Sequence, residues 1–209
     1  AVCTSGAVVY DRVEDRCMDA QPVSREMAAR LLAVAAEYDA MPHFLTRRES
    51  IVAASDVTHM ADFHMGIYQS MFERIARQTE NMAREVQVLD FIAKVNLYFR
   101  SPEDRQACYE KLRELPLAFA LPEHTTLEAT ALGVTKASGL RLLAAHLRIP
   151  MAQTVGIGDS DNDRAMLCEA GLGVAMGNAL PELKAQCAMV TTDNDHNGVG
   201  EAIRRILAE

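Results

Sequence analysis

The sequence predicts an α/β protein: a parallel sheet with helices on both faces, interrupted by a smaller inserted α/β segment. Three observations carry this. Beyond about Leu127, short strand-like runs alternate with helix-like runs, the pacing of a parallel sheet. Between Pro22 and Pro122 the order reads α-β-β-α-β-α-β, which suits a small open sheet with helices on one face. Apolar types make up 49% of the 209 residues and charged types 24%, enough to bury a core.

The elements follow in order. Ala1-Val2-Cys3-Thr4 is extended and runs to a Ser5-Gly6-Ala7 corner, after which Val8 to Asp11 extends again. The chain enters strand-like sequence at Ala1 with no loose polar lead, so its start is expected to be cut. Residues 22 to 38 read as a helix capped by Ser24, with Met27, Ala28, Leu31, Leu32 and Ala35 on one face. Short strands follow around 43–46 and 49–53, then a helix over 68–79 with Met71, Phe72, Ile75 and Ala76 inward. Residues 94 to 100 alternate like a half-buried strand, Val95, Leu97 and Phe99 on one face and Lys94, Asn96, Tyr98 and Arg100 on the other. Ser101-Pro102-Glu103-Asp104 starts a helix that Pro116 ends, and 116–121 is a further strand. A helix from Lys136 stops before Pro150; a strand over 154–158 precedes an acidic turn and a helix ending at Gly171. Strands at 173–177 and 189–192 and a last helix faced by Val199, Ala202, Ile203 and Ile206 complete the pattern.

Charge and composition limit the function. A net charge of −8 opposes general binding to nucleic acid or anionic membranes. Trp is absent and aromatics are 5%, so no platform for stacking bases is predicted. No apolar run approaches the roughly 20 residues of a membrane span, and no leader opens the chain, which points to the cytoplasm. Five widely spaced cysteines without C-x-x-C read as buried reduced thiols rather than a disulfide or zinc framework.

In an open parallel sheet ligands bind at the carboxyl ends of the strands, where Gly158-Asp159-Ser160-Asp161-Asn162-Asp163 falls. Crowded carboxylates repel unless a hard cation joins them, and magnesium takes one or two carboxylates plus substrate oxygens. A solvated acidic N-terminus for the next helix explains the same residues. A calcium loop does not: counted from Asp159, Arg164 takes its glycine place and Ala170 its bidentate acid place. The 193–198 segment reads as an Asx-rich turn. Lys136 is either a solvated surface charge or, beside a phosphate site, a group that neutralises transferring oxygens.

The joint pattern is more specific than its parts. Gly133-Val134-Thr135-Lys136, then Gly158-Asp159-x-x-Asn162-Asp163-x-x-Met166-Leu167, then Ala170-Gly171-x-Gly173-Val174-Ala175-Met176-Gly177-Asn178-Ala179 resembles the haloacid-dehalogenase-like (HAD) hydrolases, in particular the Cof-type sugar-phosphate branch. Val190-Thr191-Thr192 and Asn197-Gly198-Val199 resemble its closing strand and helix. Thr4-Ser5-Gly6-Ala7 resembles its Ser/Thr-Asn-Gly-Ala corner, with Ser5 where the branch usually has Asn. The resemblance implies a Rossmann-like core of residues 1–21 and 123–209 around a cap of 22–122 that selects substrate. It implies a phosphatase of small phosphorylated metabolites, with sugar phosphates foremost, acting through an aspartyl-phosphate and magnesium (Mg2+). By matching position, Asp159 would ligate the metal and Asp163 support it directly or through water. Lys136 would steady the phosphoryl group, and Asn162, Ser5 and Asn178 would lie at the substrate.

One part of that family pattern has no match. The nucleophile of such enzymes lies in an Asp-x-Asp-Gly-Thr segment ahead of the Asn-Gly-Ala corner, and Asp159-Ser160-Asp161 has no Gly-Thr behind it. The chain is therefore expected to lack a βαβ unit of roughly 30 or more residues, to be catalytically incomplete, and to bind magnesium weakly. Sheet surface left uncovered would promote self-association. The alternative is a non-catalytic relative that binds ligands or partners. Asp56, His59, Asp62 and His64, the most polar irregular stretch of the expected cap, read as a solvated loop or as residues facing the site.

Overall fold

A computed structural model describes residues 1–208. The chain opens on an antiparallel ribbon of three strands, β1 (Val2–Cys3), β2 (Val8–Asp11) and β3 (Arg16–Ala20). The turn after β1 holds Thr4 and Ser5 at φ 47° and 55° and Gly6 at 98°. Gly6 is required there, since a Cβ on it would stand 1.9 Å from the carbonyl oxygen of Thr135. That close approach presses the turn onto the start of the helix that bears Lys136.

The middle of the chain builds the larger sheet. Its elements are α1 (Arg25–Ala36), β4 (Met41–Leu45), β5 (Ser50–Ala53), α2 (Ala54–Val57), α3 (Gln69–Ile75), β6 (Arg77–Thr79), α4 (Met82–Val88), β7 (Lys94–Tyr98), α5 (Pro102–Leu112), β8 (Leu117–Ala120) and β9 (Thr126–Ala131). The strands lie in the order β6-β5-β4-β7-β9-β8, antiparallel except for β5 with β6. Ser24 caps α1 by accepting from the Met27 amide, and Met27, Ala28, Leu31 and Ala35 are its buried face, as their spacing predicts.

Four expectations change here. The helix expected over 68–79 ends at Ile75, and Arg77–Thr79 instead pairs with β5. Phe72 is buried, but Met71 and Ile75 are exposed, so helical spacing misassigned them to the core. Strand β7 is buried on both faces, Lys94 and Asn96 included. Helices α1, α4 and α5 cover one face around Phe44, Val95 and Leu97, and residues 57–72 cover the other around Met41, Val52 and Tyr98. The sheet also takes its penultimate strand from Thr126–Ala131, past the boundary expected at 122. Pairing decides this: β9 bonds to both β7 and β8, and the mixed alternation Leu127-Glu128-Ala129-Thr130 disguises a strand with two buried faces.

The last third alternates as predicted: α6 (Lys136–Leu147), β10 (Val155–Gly158), α7 (Arg164–Glu169), β11 (Leu172–Ala175), α8 (Pro181–Lys184), β12 (Met189–Val190) and α9 (Gly198–Leu207). Its three strands are parallel in the order β10-β11-β12. Together with the covering helices this is a Rossmann-like core. The apolar face of α9 is incompletely covered, with Val199 and Ile203 each 47% exposed. The cysteines depart from expectation: all five are free, but only Cys108 is buried, because Cys3, Cys17 and Cys168 sit on exposed ribbon and helix surface.

Candidate active site

Strands β10 and β11 end side by side, Gly158 paired with Ala175. From Gly158 the chain turns back through Asp159 and Ser160 so that Asp163 folds under the strand end. A Cβ on Gly158 would lie 2.4 Å from Asp163 Cγ, so only glycine admits this fold. Asp163 is 5% exposed. Its Oδ2 accepts the amides of Asp159 (3.1 Å) and Ser160 (3.3 Å), and its Oδ1 accepts from Lys136 Nζ at 2.6 Å. Both oxygens are thus engaged in ordering the turn and the lysine.

Lys136 is the first residue of α6, whose start is fixed by a reciprocal cap between Thr135 and Ser138. Its Nζ also donates to Asn162 Oδ1 at 2.8 Å. Asn162 Nδ2 in turn donates to Glu128 Oε2 at 3.2 Å, and Glu128 pairs with Lys94 at 2.8 Å. Ser5 Oγ joins the same knot, donating to Glu128 Oε2 at 3.1 Å and accepting from Lys94 Nζ at 3.1 Å. Asp159 looks elsewhere: Oδ2 accepts from Asn178 Nδ2 at 2.7 Å, while Asn178 Oδ1 accepts the Asn194 amide at 3.2 Å.

A cavity of about 460 Å³ opens over this turn. Lys136, Asp159, Ser160, Asn162 and Asp163 line its polar side. The opposite wall comes from the larger sheet and the segment over it: His43, Met65, Tyr68, Met71, Phe72 and Tyr98. A cavity of about 180 Å³ adjoins it, sharing Lys136, Asn162 and Glu128 and reaching Ser5. His43 and Tyr98 of that wall are held uncharged, while Glu123 and Glu128 add carboxylates to the lining. Burial, aided by the nearby Lys94 charge, pushes His43 down to about 3, and burial pushes the Tyr98 phenol up. His43 bonds Tyr98 Oη through Nδ1 (3.3 Å) and Ser50 Oγ through Nε2 (2.7 Å).

The structure therefore gathers four of the six residues expected at the site, Lys136, Asp159, Asn162 and Asp163, around one cavity. Ser5 lies in the adjoining space, held by Glu128 and Lys94. Asn178 steadies Asp159 from outside the cavity. The Asp56–His64 stretch stays out of it: Asp62 pairs with Arg100, and His64 Nε2 bonds the Arg100 carbonyl. Glu128, Lys94 and the His43–Tyr98 wall were not anticipated. The one signal for Glu128 was a charge inside the apolar run Leu127–Ala131.

Magnesium suits the chemistry of this turn within limits. Among the described residues no three His, Cys, Asp or Glu side chains gather to hold a metal. Asp159 offers Oδ1, which lies outside its bond to Asn178, and Asp163 has both oxygens already bonded. That fits an ion held by one direct carboxylate, with waters and substrate oxygens completing its shell.

Fold and site together define an α/β protein with a carboxylate-rich cleft, into which Lys136 brings a positive charge, at the carboxyl ends of parallel strands. Residues 1–203 match the haloacid dehalogenase-like hydrolases, and the chain belongs to that family. It is similar to phosphatase YwpJ of Bacillus subtilis, 39% identical over 99 residues that make 47% of this chain and 34% of that protein. It is also similar to 5-amino-6-(5-phospho-D-ribitylamino)uracil phosphatase YcsE of the same species, 43% identical over 94 residues, 45% of this chain and 37% of that one. The matches thus span about a third of these relatives' length. Among solved structures, a HAD subclass IIB sugar phosphatase superposes with a TM-score of 0.80 at 19% identity, over 97% of this chain and 73% of that one.

Proposed function

We propose that the cleft binds the phosphoryl group of a small phosphorylated metabolite, as the metal- and phosphate-holding part of a magnesium-dependent phosphatase. The observation that carries this is Lys136, whose Nζ is held at 2.6 Å by Asp163 and 2.8 Å by Asn162 at the rim of the cavity. An ammonium fixed in this way meets phosphoryl oxygens without first having to be ordered. Asp159 is the direct metal ligand on this reading; Asp163 orders the turn and supports the metal through water; Asn162 contributes an amide to the cleft. Magnesium, when bound, neutralises phosphoryl charge as a Lewis acid. Asn178 keeps Asp159 turned to the strand end.

The opposite wall bears on the substrate. Sugar phosphates remain the expectation from the Cof-type resemblance. The thioethers of Met65 and Met71 and the rings of Tyr68 and Phe72 favour a substrate with an apolar or ring-bearing portion over a bare polyol. The relative YcsE is named for a uracil-bearing phosphate.

Titration of the chain with inorganic phosphate in the presence of magnesium tests this reading. Binding is expected, and Lys136→Ala is expected to weaken it by about tenfold or more, as loss of a charge-assisted bond of roughly 1.5–3 kcal/mol requires. Phosphate affinity indifferent to Lys136 would overturn the reading. No turnover of p-nitrophenyl phosphate by these residues is expected, because the carboxylates at the turn are given to the lysine, the amides and the metal.

A further inference from the structure

We infer that Glu128 is a positioning residue of the cleft, holding the Asn162 amide in one orientation and, through it, the Lys136 ammonium. Its consequence for phosphate rests on the function proposed above; its geometry does not. Glu128 belongs to β9 of the six-stranded sheet, yet its side chain reaches the cleft and lines both cavities. It is 8% exposed. A carboxylate accepts and cannot donate. Oε1 accepts from Lys94 Nζ at 2.8 Å, and Oε2 accepts from Ser5 Oγ at 3.1 Å and Asn162 Nδ2 at 3.2 Å.

That acceptor decides which way the amide points. With its NH2 group on Glu128, Asn162 has its carbonyl left for Lys136 Nζ at 2.8 Å and Ser160 Oγ at 3.0 Å. A flipped amide would set oxygen against Oε2 and NH2 against the ammonium, two repulsive contacts in a half-buried site. Lys136 is therefore gripped from two sides, by Asp163 and by an amide that Glu128 keeps in register.

Lys94 makes this compatible with an anion nearby. A lone buried carboxylate beside a phosphate site would repel its ligand, whereas the Lys94–Glu128 pair is neutral as a unit. Stability is a weak reason for the pair, because replacing a buried ion pair by apolar residues of similar volume is often neutral or stabilising. Its place is instructive: Lys94 and Glu128 belong to the large sheet, while Ser5 lies in the turn after β1, Asn162 in the acidic turn after β10 and Lys136 at the start of α6. The pair is where one region instructs the other.

A double-mutant cycle tests this, with inorganic phosphate and magnesium as the probe and the Asn162 side-chain NH2 resonance as a second readout. Glu128→Gln keeps volume but presents its own NH2 to Asn162, which inverts the amide and turns its NH2 onto Lys136. It is expected to weaken phosphate binding by about fivefold or more in the otherwise unchanged chain, and by less than about twofold beside Asn162→Ala. The Asn162 NH2 resonance is expected to shift in the single variant. If Glu128→Gln fails to fold, Lys94→Met with Glu128→Leu takes its place: it leaves no ammonium unpaired and removes the acceptor of Asn162 Nδ2. Equal losses with and without Asn162, or an unmoved amide resonance, would overturn the inference. Absence of phosphate binding in the unaltered chain would overturn the proposed function alone, and the amide resonance would still decide the role of Glu128.

Discussion

The six-stranded sheet and the three-stranded sheet are built to different standards. Most of the largest fully buried side chains, among them Phe44, Leu31, Met41, Ile51 and Leu127, lie in or around the former. The latter packs a small cluster of Leu167, Ala175, Ala179 and Leu183, and leaves Val155 and Val190 of its strands exposed. Yet the thin sheet carries the acidic turn, held by hydrogen bonds of Asp163 rather than by apolar burial. Packing weight and site chemistry are thus segregated, and they meet at the cavity wall and at the Lys94–Glu128 pair.

Truncating the large sheet's core should break this division most strongly. Leu31→Ala empties a fully buried position and is expected to cost about 2–5 kcal/mol, read by urea unfolding. Phosphate affinity of the folded fraction is expected to stay unchanged; a parallel loss would show that the two regions are not separable.

His43 sharpens the comparison through pH. Its folded value of about 3 lies below the ordinary 6.5, so between these values the unfolded chain binds a proton that the folded chain refuses. Its contribution is intact above pH 6.5, falls as pH drops through that window by at most about 1.4 kcal/mol per unit, and levels off near 3. Urea unfolding at pH 7 and 4.5 should show that slope in the unaltered chain and a shallower one in His43→Gln. Equal slopes would place the burden on other groups.

The smallest effect belongs to the thin region. Ile203 of α9 is half-exposed, so Ile203→Ser is expected to change stability by no more than about 0.5 kcal/mol. We propose that the exposed sheet surface of this region, with Val155 and Val190, mediates self-association. Sedimentation is then expected to show concentration-dependent assembly that Val190→Ser weakens; a monomer at every concentration would remove the proposal.

Legibility in the sequence followed the same division. The alternation from Lys136 to Leu207 was readable because each short element carries its own signal: Pro150 beyond the helix from Lys136, Gly158 before the acidic turn, Gly171 after the next helix. The turn residues Asp159, Asn162 and Asp163 are close in sequence, so spacing grouped them; Lys136, which opens the helix packed beside them, joined them only through the family resemblance. The large sheet was read less well. Its central strands alternate like half-buried ones but are covered on both faces, so alternation set Lys94 toward solvent where the structure buries it against Glu128. Met71 and Ile75 had helical spacing but no partner to bury them.

By itself the sequence determined the alternating core, the helix starts and the acidic turn, because capping, glycine sterics and local apolar spacing act over a few residues. Tertiary structure alone decided that Glu128, Lys94 and Ser5 would meet Asn162, that His43 and Tyr98 would face the turn, and which apolar stripes would be covered. Those outcomes depend on strand pairing between distant segments, as between β9 and β7, and on what lies across each face. Neither is written in the neighbours of a residue along the chain.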